Sequence, residues 1–298
     1  MSFSRALTGL IILIASFFSA ACSQFSFFVA NAPTLVGPFD RIADLHYGPH
    51  ARQTLDVYVP KHASKRPIVI FWYGGAWTAG DKASYRFVGA ALADRGFVTV
   101  LPNYRLAPAI KFPDFLSDGA IAVAWAQQHA AEFGGDPQRV VLMGHSAGAH
   151  IAAFLALNDT YLKSAGGHPE WIRGLVGLSG PYVLVPNTVS LNTIFAKPYT
   201  AKDWQPINFV TPHAPPTLLF HGLDDDLVVP SHARELRDAL AAANVPVEAE
   251  FLEGRGHADT VAAIAWAARN RGPVLVDSVK FIERVTSDRY SSRNDPSR

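Results

Sequence analysis

Apolar positions in this chain recur with two periods, and the two periods take turns. Gln53-Thr54-Leu55-Asp56-Val57-Tyr58-Val59 alternates with period two, the pattern of a half-buried strand. Ile68-Val69-Ile70-Phe71-Trp72 and Phe97-Val98-Thr99-Val100-Leu101 are continuous apolar runs, the pattern of strands buried on both faces. Val140 to Met143, Leu175 to Leu178, Leu218 to Phe220 and Val247 to Phe251 read as further strands. Between them the spacing turns helical. Ser84 to Arg95 is a predicted helix ending at Gly96, and Leu116 to Glu132 is another, closed by Gly134-Gly135-Asp136-Pro137. Ala149 to Leu157, Ser231 to Ala243 with Ser231 as N-cap, and Val274 to Val285 after Pro273 complete the helices. Short buried strands separated by helices predict an α/β fold, a mostly parallel sheet covered on both faces. In such a sheet, ligands bind beyond the carboxyl ends of the strands. Residues 182–216 interrupt the alternation with a Pro/Asn/Thr-rich stretch too long for an ordinary loop. It reads either as a small irregular lid or as a surface excursion without a role.

Composition narrows the picture. With 298 residues, 49% apolar and 17% charged, the chain is long enough for one large domain, expected over 41–287. A net charge of +1 and no long basic run give no footprint for nucleic acid. Residues 288–298 read as a solvated, disordered tail.

The N-terminus has its own pattern. After Arg5, no charged residue occurs from Leu7 to Ala30. Leu10 to Ala15 reads as a signal-peptide h-region, and Ser19-Ala20-Ala21 supplies small residues before Cys22, so 1–22 is a candidate signal and 23–40 a linker. Cys22 is the only cysteine, so no intrachain disulfide can form. Ser19-Ala20-Ala21-Cys22 resembles a bacterial lipobox, with Ser19 where Leu is usual, which makes Cys22 a candidate lipidation site. Ordinary cleavage and an uncleaved anchor are the alternatives, since about 20 apolar residues span a bilayer. All three put the domain outside the cytoplasm. The resemblance implies lipid anchoring in a bacterial envelope, and Ser23 after the cysteine favours the outer membrane.

Candidate chemistry centres on Gly144-His145-Ser146-Ala147-Gly148, which has a predicted strand before it and a helix after it. That context suits a nucleophile elbow, in which two glycines permit the sharp turn that lifts the serine oxygen. A serine hydroxyl needs a base, and the base needs an orienting acid. Of eleven histidines, His257 stands after the last predicted strand on a glycine-flanked loop, and is the candidate base. His145 lies in the elbow and His150 on its helix. His221 ends a strand and is expected to stabilise the loop that follows. His232 falls with those on loops or exposed helix positions. Three carboxylates, Asp224, Asp225 and Asp226, follow the Leu218 to Phe220 strand, and successive side chains there diverge. Asp225 is the candidate acid, with Asp226 the runner-up. For an oxyanion, the backbone N–H of Ala147 and those of Gly75 and Ala76, in Tyr73-Gly74-Gly75-Ala76-Trp77, are the candidate donors. Trp72, Trp77, Tyr104 and His145 are candidate pocket residues.

Together these residues resemble the α/β-hydrolase superfamily, specifically carboxylesterases with an HGG-type oxyanion loop of the feruloyl-esterase-like and hormone-sensitive-lipase-like branches. The similarity runs from about Gln53 to Glu283. It includes Gly80-Asp81-Lys82, Asn103 to Pro108, Phe112-Pro113 and Asp118. Tyr73 departs from it, standing where His is usual. The resemblance implies a serine carboxylesterase acting on small or medium esters through an acyl-enzyme, with Ser146, Asp225 and His257 catalytic and no metal or organic cofactor. An amidase or formamidase with the same triad is the alternative, as is a non-catalytic envelope protein on the same fold.

Overall fold

The computed structural model describes residues 30–31, 37–269 and 272–287. The signal, lipobox and Cys22 readings and the 288–298 tail lie outside these residues. Among them, no helix is long and apolar enough to cross a membrane.

Eight strands form one sheet: β1 (Phe39–His46), β2 (Thr54–Pro60), β3 (Arg66–Trp72), β4 (Val98–Pro102), β5 (Gly135–His145), β6 (Ile172–Leu178), β7 (Thr217–Gly222) and β8 (Val247–Leu252). Their spatial order is β1-β2-β4-β3-β5-β6-β7-β8. The β1–β2 and β2–β4 pairs are antiparallel and all the others parallel. The apolar runs of β3, β5, β6 and β7 are buried along nearly their whole length, so both faces of the sheet's centre are covered. At the edges, β1 and β8 are only partly buried.

The covering helices are α1 (Arg86–Ala93), α2 (Asp114–His129), α3 (Ala147–Leu157), α4 (Asp159–Ser164), α5 (Val189–Ile194), α6 (Ala201–Trp204), α7 (Ser231–Ala242), α8 (Asp259–Ala262) and α9 (Val274–Val285). Helix α1 packs on β4 and β2, α3 on β5, β6 and β3, α7 on β8 and β7, and α9 on β6 and β7. Helix α3 is apolar all round, as a helix embedded between sheet and neighbours must be.

The sequence pattern and the structure part in four places. Strand β1 escapes the period-two pattern because its register shifts between Ile42 and Leu45, where Asp44 takes φ 58°. It begins inside the expected 23–40 linker, and Asn31 is itself tied to the fold through bonds with Ser84 and Phe87 backbone. Ser231 is the first residue of α7 and not its cap: Pro230 already has helical dihedrals, φ −60° and ψ −14°, so the helix starts one residue early. Residues 182–216 are more ordered than a Pro/Asn/Thr-rich composition suggests. They carry α5 and α6 and bury Ile194, Phe195 and Trp204.

Near the antiparallel edge, Asp56 is fully buried and meets two cations. Its carboxylate accepts from Arg41 Nε (2.9 Å) and Nη2 (2.7 Å), from Lys82 Nζ (2.6 Å), and from the Asp44 N–H (3.1 Å). Asp118, also fully buried, accepts from Arg105 N–H (2.8 Å) and Nε (2.9 Å), and from Gln53 Nε2 (2.7 Å). Asp81 accepts from Ala83 N–H and Asn103 Nδ2. The polar residues of the 80–82, 103–108 and 118 motifs therefore hold the loops beyond β3 and β4 in place.

Candidate active site

Strand β5 ends at His145 and α3 starts at Ala147, so Ser146 alone makes the turn between them. It does so at φ 55° and ψ −122°, a strained conformation for a residue with a side chain. Two bonds hold it: the Ser146 N–H donates to Leu178 O (2.9 Å) and its carbonyl accepts from His150 N–H (3.1 Å). Both flanking glycines are obligatory. A Cβ on Gly144 would enter the Gly148 carbonyl, and one on Gly148 would enter the Trp72 carbonyl.

His257 reaches the elbow from the loop after β8. Its Nε2 lies 2.8 Å from Ser146 Oγ, and its Nδ1 lies 2.8 Å from Asp225 Oδ2. Asp225 comes from the loop after β7 and is buried, while Asp224 and Asp226 on either side of it are exposed. The acid expected from the run of three is therefore the one that reaches the histidine. Its other oxygen accepts from the Leu227 (3.1 Å) and Val228 (2.9 Å) N–H groups. Burial by itself would raise the Asp225 pKa, but hydrogen bonds from His221 and His257 outweigh it and hold the carboxyl below the usual range. His221 Nε2 donates to Val228 O (2.6 Å) and lies 3.3 Å from Asp225 Oδ2, so it does brace the acid loop.

The loop after β3 closes over the elbow. A Cβ on Gly74 would crowd His145 Nδ1 and Ser146 Cβ. Gly75, Ala76 and Trp77 follow with φ of 133°, 49° and 59°, three consecutive residues at positive φ. Ala76 and Ala147 line the same cavity as Ser146, with the Ala147 N–H in the first turn of α3, where amides have no intrahelical partner. The Gly75 carbonyl accepts from Thr78 and Ala79 N–H, which fixes the turn that presents Ala76.

Comparison with known proteins agrees with this geometry. The BD-FAE family model matches residues 55–176, which hold the glycine loop and Ser146, and the prolyl oligopeptidase family model matches residues 192–288, which hold Asp225 and His257. A truncated form of a carbohydrate esterase from gut microbiota has the same fold, with a TM-score of 0.73 over 84% of this chain and 97% of that one at 22% identity.

The chain belongs to the α/β-hydrolase superfamily.

Among its relatives, the probable isoprenylcysteine alpha-carbonyl methylesterase ICMEL2 of Arabidopsis thaliana is 32% identical over 237 residues, 72% of this hydrolase and 56% of the plant protein. Esterase LipC of Mycobacterium tuberculosis is 32% identical over 234 residues, 71% and 58% of the two chains. The hydrolase thus spans a little over half the length of these relatives.

Not every expected pocket residue of this hydrolase faces the pocket. Trp77 does, beside Pro181, Leu184 and Leu227 in a cavity of about 420 Å³. Tyr104 does not: it is fully buried, stacks on Tyr73 (4.8 Å between centroids) and donates to the Tyr73 carbonyl (3.1 Å). Trp72, also fully buried, is core. His145 is buried beneath the base, with its Nε2 donating to the His257 carbonyl (3.0 Å) and its ring 5.0 Å from that of His257. Burial, then the nearby His257 charge, pushes the His145 pKa down to about 3, so it stays neutral. It positions the loop of His257 and does not line the cavity of Ser146. His150, likewise buried, donates to the Trp204 carbonyl (2.7 Å), and burial pushes its pKa down to about 4.

Tyr73, the departure from the HGG pattern, braces the glycine loop from behind. Its hydroxyl accepts from Arg52 Nη2 (2.8 Å), and Arg52 also donates to the Gly80 and Tyr104 carbonyls. Residues Pro181, Val183, Leu184, Val185, Asn187 and Leu191 make one wall of the cavity, so the 182–216 stretch is more than a surface excursion. His232 also lines the cavity, a position its place at the start of a polar helix conceals. No periodicity marks it, because its partner is 49 residues away in the chain. Among the described residues, no group of three or more His, Cys, Asp or Glu could hold a metal ion.

Proposed function

We propose that this hydrolase is a serine carboxylesterase for uncharged esters of small or medium acids. The observation that carries the reading is the continuous Ser146–His257–Asp225 line, 2.8 Å at each step, opening on an apolar cavity beside Ala76 and Ala147. Ser146 Oγ attacks the ester carbonyl carbon as His257 Nε2 takes its proton. The carbonyl electron pair moves onto oxygen, where the Ala76 and Ala147 N–H groups receive it. Collapse expels the alcohol, which takes the proton back from His257, and leaves an acyl group on Ser146. Water, deprotonated by the same Nε2, then attacks the acyl carbon, and collapse frees the acid as Ser146 Oγ takes the proton back from His257. Throughout, Asp225 keeps the proton on His257 Nδ1 and stabilises the transient imidazolium.

Substrate class follows from the wall. None of the cavity-lining residues is Asp, Glu, Lys or Arg, so a charged substrate would be desolvated without a partner. Leu227 and Val185 are both in the wall and largely exposed, which supports an apolar mouth. The esterase names of the relatives support the same class. A panel of p-nitrophenyl esters from acetate to octanoate, with Ser146→Ala as control and a fluorophosphonate label read by mass, tests the proposal. Turnover and labelling that survive Ser146→Ala would overturn it.

Amide hydrolysis is the second reading, favoured by the prolyl oligopeptidase family match over the acid and base loops. An ester and its matched anilide, compared on one preparation, separate the two.

The uncharged stretch from Leu7 to Ala30, with its apolar Leu10 to Ala15, and Ser19-Ala20-Ala21-Cys22 support export to a bacterial envelope with lipid on Cys22. The mass of the mature N-terminus tests this, and an unmodified Cys22 would end the lipoprotein reading.

A further inference from the structure

His232 has no part in the proton relay, yet it lines the cavity of Ser146. Its ring is half-buried at the start of α7, and its Nδ1 accepts a hydrogen bond from the Val183 N–H (3.0 Å). A backbone amide can only donate, so Nδ1 carries no proton and the neutral ring must carry its proton on Nε2. Burial, followed by the charge of His221, pushes the His232 pKa down to about 4, which keeps this tautomer through the neutral range. Among the described residues, nothing accepts from Nε2. The rest of the wall is made largely by Trp77, Pro181, Leu184, Leu191, Leu227 and Val228, which have no acceptor in their side chains.

We infer that His232 is a specificity residue whose Nε2–H donates to an oxygen acceptor carried by the substrate away from the scissile carbonyl, so that the enzyme prefers oxygen-bearing acyl or alkoxy groups over plain alkyl ones. The inference rests on the proposed ester hydrolysis at Ser146. A purely hydrocarbon substrate leaves the donor facing apolar surface, and a site built to hydrogen-bond an oxygen discriminates against the analogue without one. The acceptor can sit on the acid or the alcohol side of the ester, and matched pairs distinguish the two.

The test uses esters that differ by one CH₂→O exchange. p-Nitrophenyl butyrate against p-nitrophenyl methoxyacetate probes the acid side, and propyl against methoxymethyl-type alkoxy groups probes the alcohol side. Each pair is corrected for its alkaline hydrolysis rate. The expected result is a corrected kcat/KM about 3- to 10-fold higher for the oxygenated member in one arm, the range of one net hydrogen bond. His232→Asn keeps an acceptor near the Nδ1 position for Val183 but withdraws the Nε2 donor, and should erase the preference. His232→Gln places an amide N–H near the Nε2 position and should restore it. Equal corrected rates within both arms, or a preference that survives His232→Asn, would overturn the inference while leaving the esterase reading intact. No hydrolysis of either member would instead fail the esterase reading.

Discussion

Asp56 and Asp225 are both buried carboxylates, and their partners could hardly differ more. Asp56 sits between Arg41 and Lys82, so two fixed cations balance it permanently. Asp225 is held by His221, His257 and the N–H groups of Leu227 and Val228, none of which carries a fixed charge. The first arrangement spends the carboxylate's field on the fold. The second leaves that field available, pointed at a ring that can take up a proton. A buried acid is therefore not a catalytic signal by itself: the signal is a buried acid whose partners carry no fixed charge and one of which can accept a proton.

The contrast can be broken at several points. The largest effect is expected from Ser146→Ala, a loss in kcat of roughly 10⁵-fold or more, with His257→Ala costing about as much and the double variant little more. Steady-state p-nitrophenyl ester assays with active-site titration measure it. Next is Asp225→Asn, expected to lower kcat by about 10⁴-fold because the amide N–H facing Nδ1 forces the wrong tautomer. Its denaturation midpoint should move far less than that of Asp56→Asn. The latter takes from Arg41 and Lys82 the carboxylate they share, leaving Lys82 paired with Asp44, and should cost about 3 kcal/mol in urea titration while folded molecules keep their turnover. A large kcat loss in Asp56→Asn, or a large stability loss in Asp225→Asn, would erase the distinction.

Stability should also depend on pH through the neutral buried histidines. In the folded state the His150 pKa lies near 4, below its unfolded value of about 6.5, so between these values the unfolded chain binds more protons. The contribution of His150 is therefore full above about pH 6.5 and falls by about 3 kcal/mol as pH drops toward 4. His150→Gln, which keeps a donor for the Trp204 carbonyl, should flatten that part of the curve. Asp225, lowered below the usual carboxyl range, loses its contribution only at more acidic pH, so the two losses are separable in a pH series of melts. The smallest effect is expected from Tyr73→Phe, which removes the Arg52 hydrogen bond. We expect a stability loss of about 1 kcal/mol by urea titration with kcat nearly unchanged.

What the sequence made legible was local. The elbow, the buried strand runs and the position of the base loop after β8 follow from periodicity and glycine placement, and each sits where the pattern puts it. That one carboxylate of the run of three faces the site follows from the divergence of successive side chains, and exposure of Asp224 and Asp226 beside buried Asp225 fits that argument. Harder features depend on partners distant in the chain. Tyr104 and His145 are candidate pocket residues by sequence, but aromatic packing on Tyr73 claims one and the His257 carbonyl the other. His232 is the converse case: a polar helix start looks solvated until residues 181–187 fold against it. Strand β1 is hidden by its own bulge.

The conformation of Ser146 sets a limit on what chemistry this position can ever host. At φ 55° a second heavy atom on Cβ is poorly tolerated, so threonine, the other hydroxyl nucleophile, is closed to it. Cysteine has the required unbranched shape and would place a sulfur against His257, and aspartate would place a carboxylate there. The elbow thus fixes a shape and not an element: among nucleophiles it admits oxygen, sulfur or carboxylate, so long as the side chain forks no earlier than Cγ.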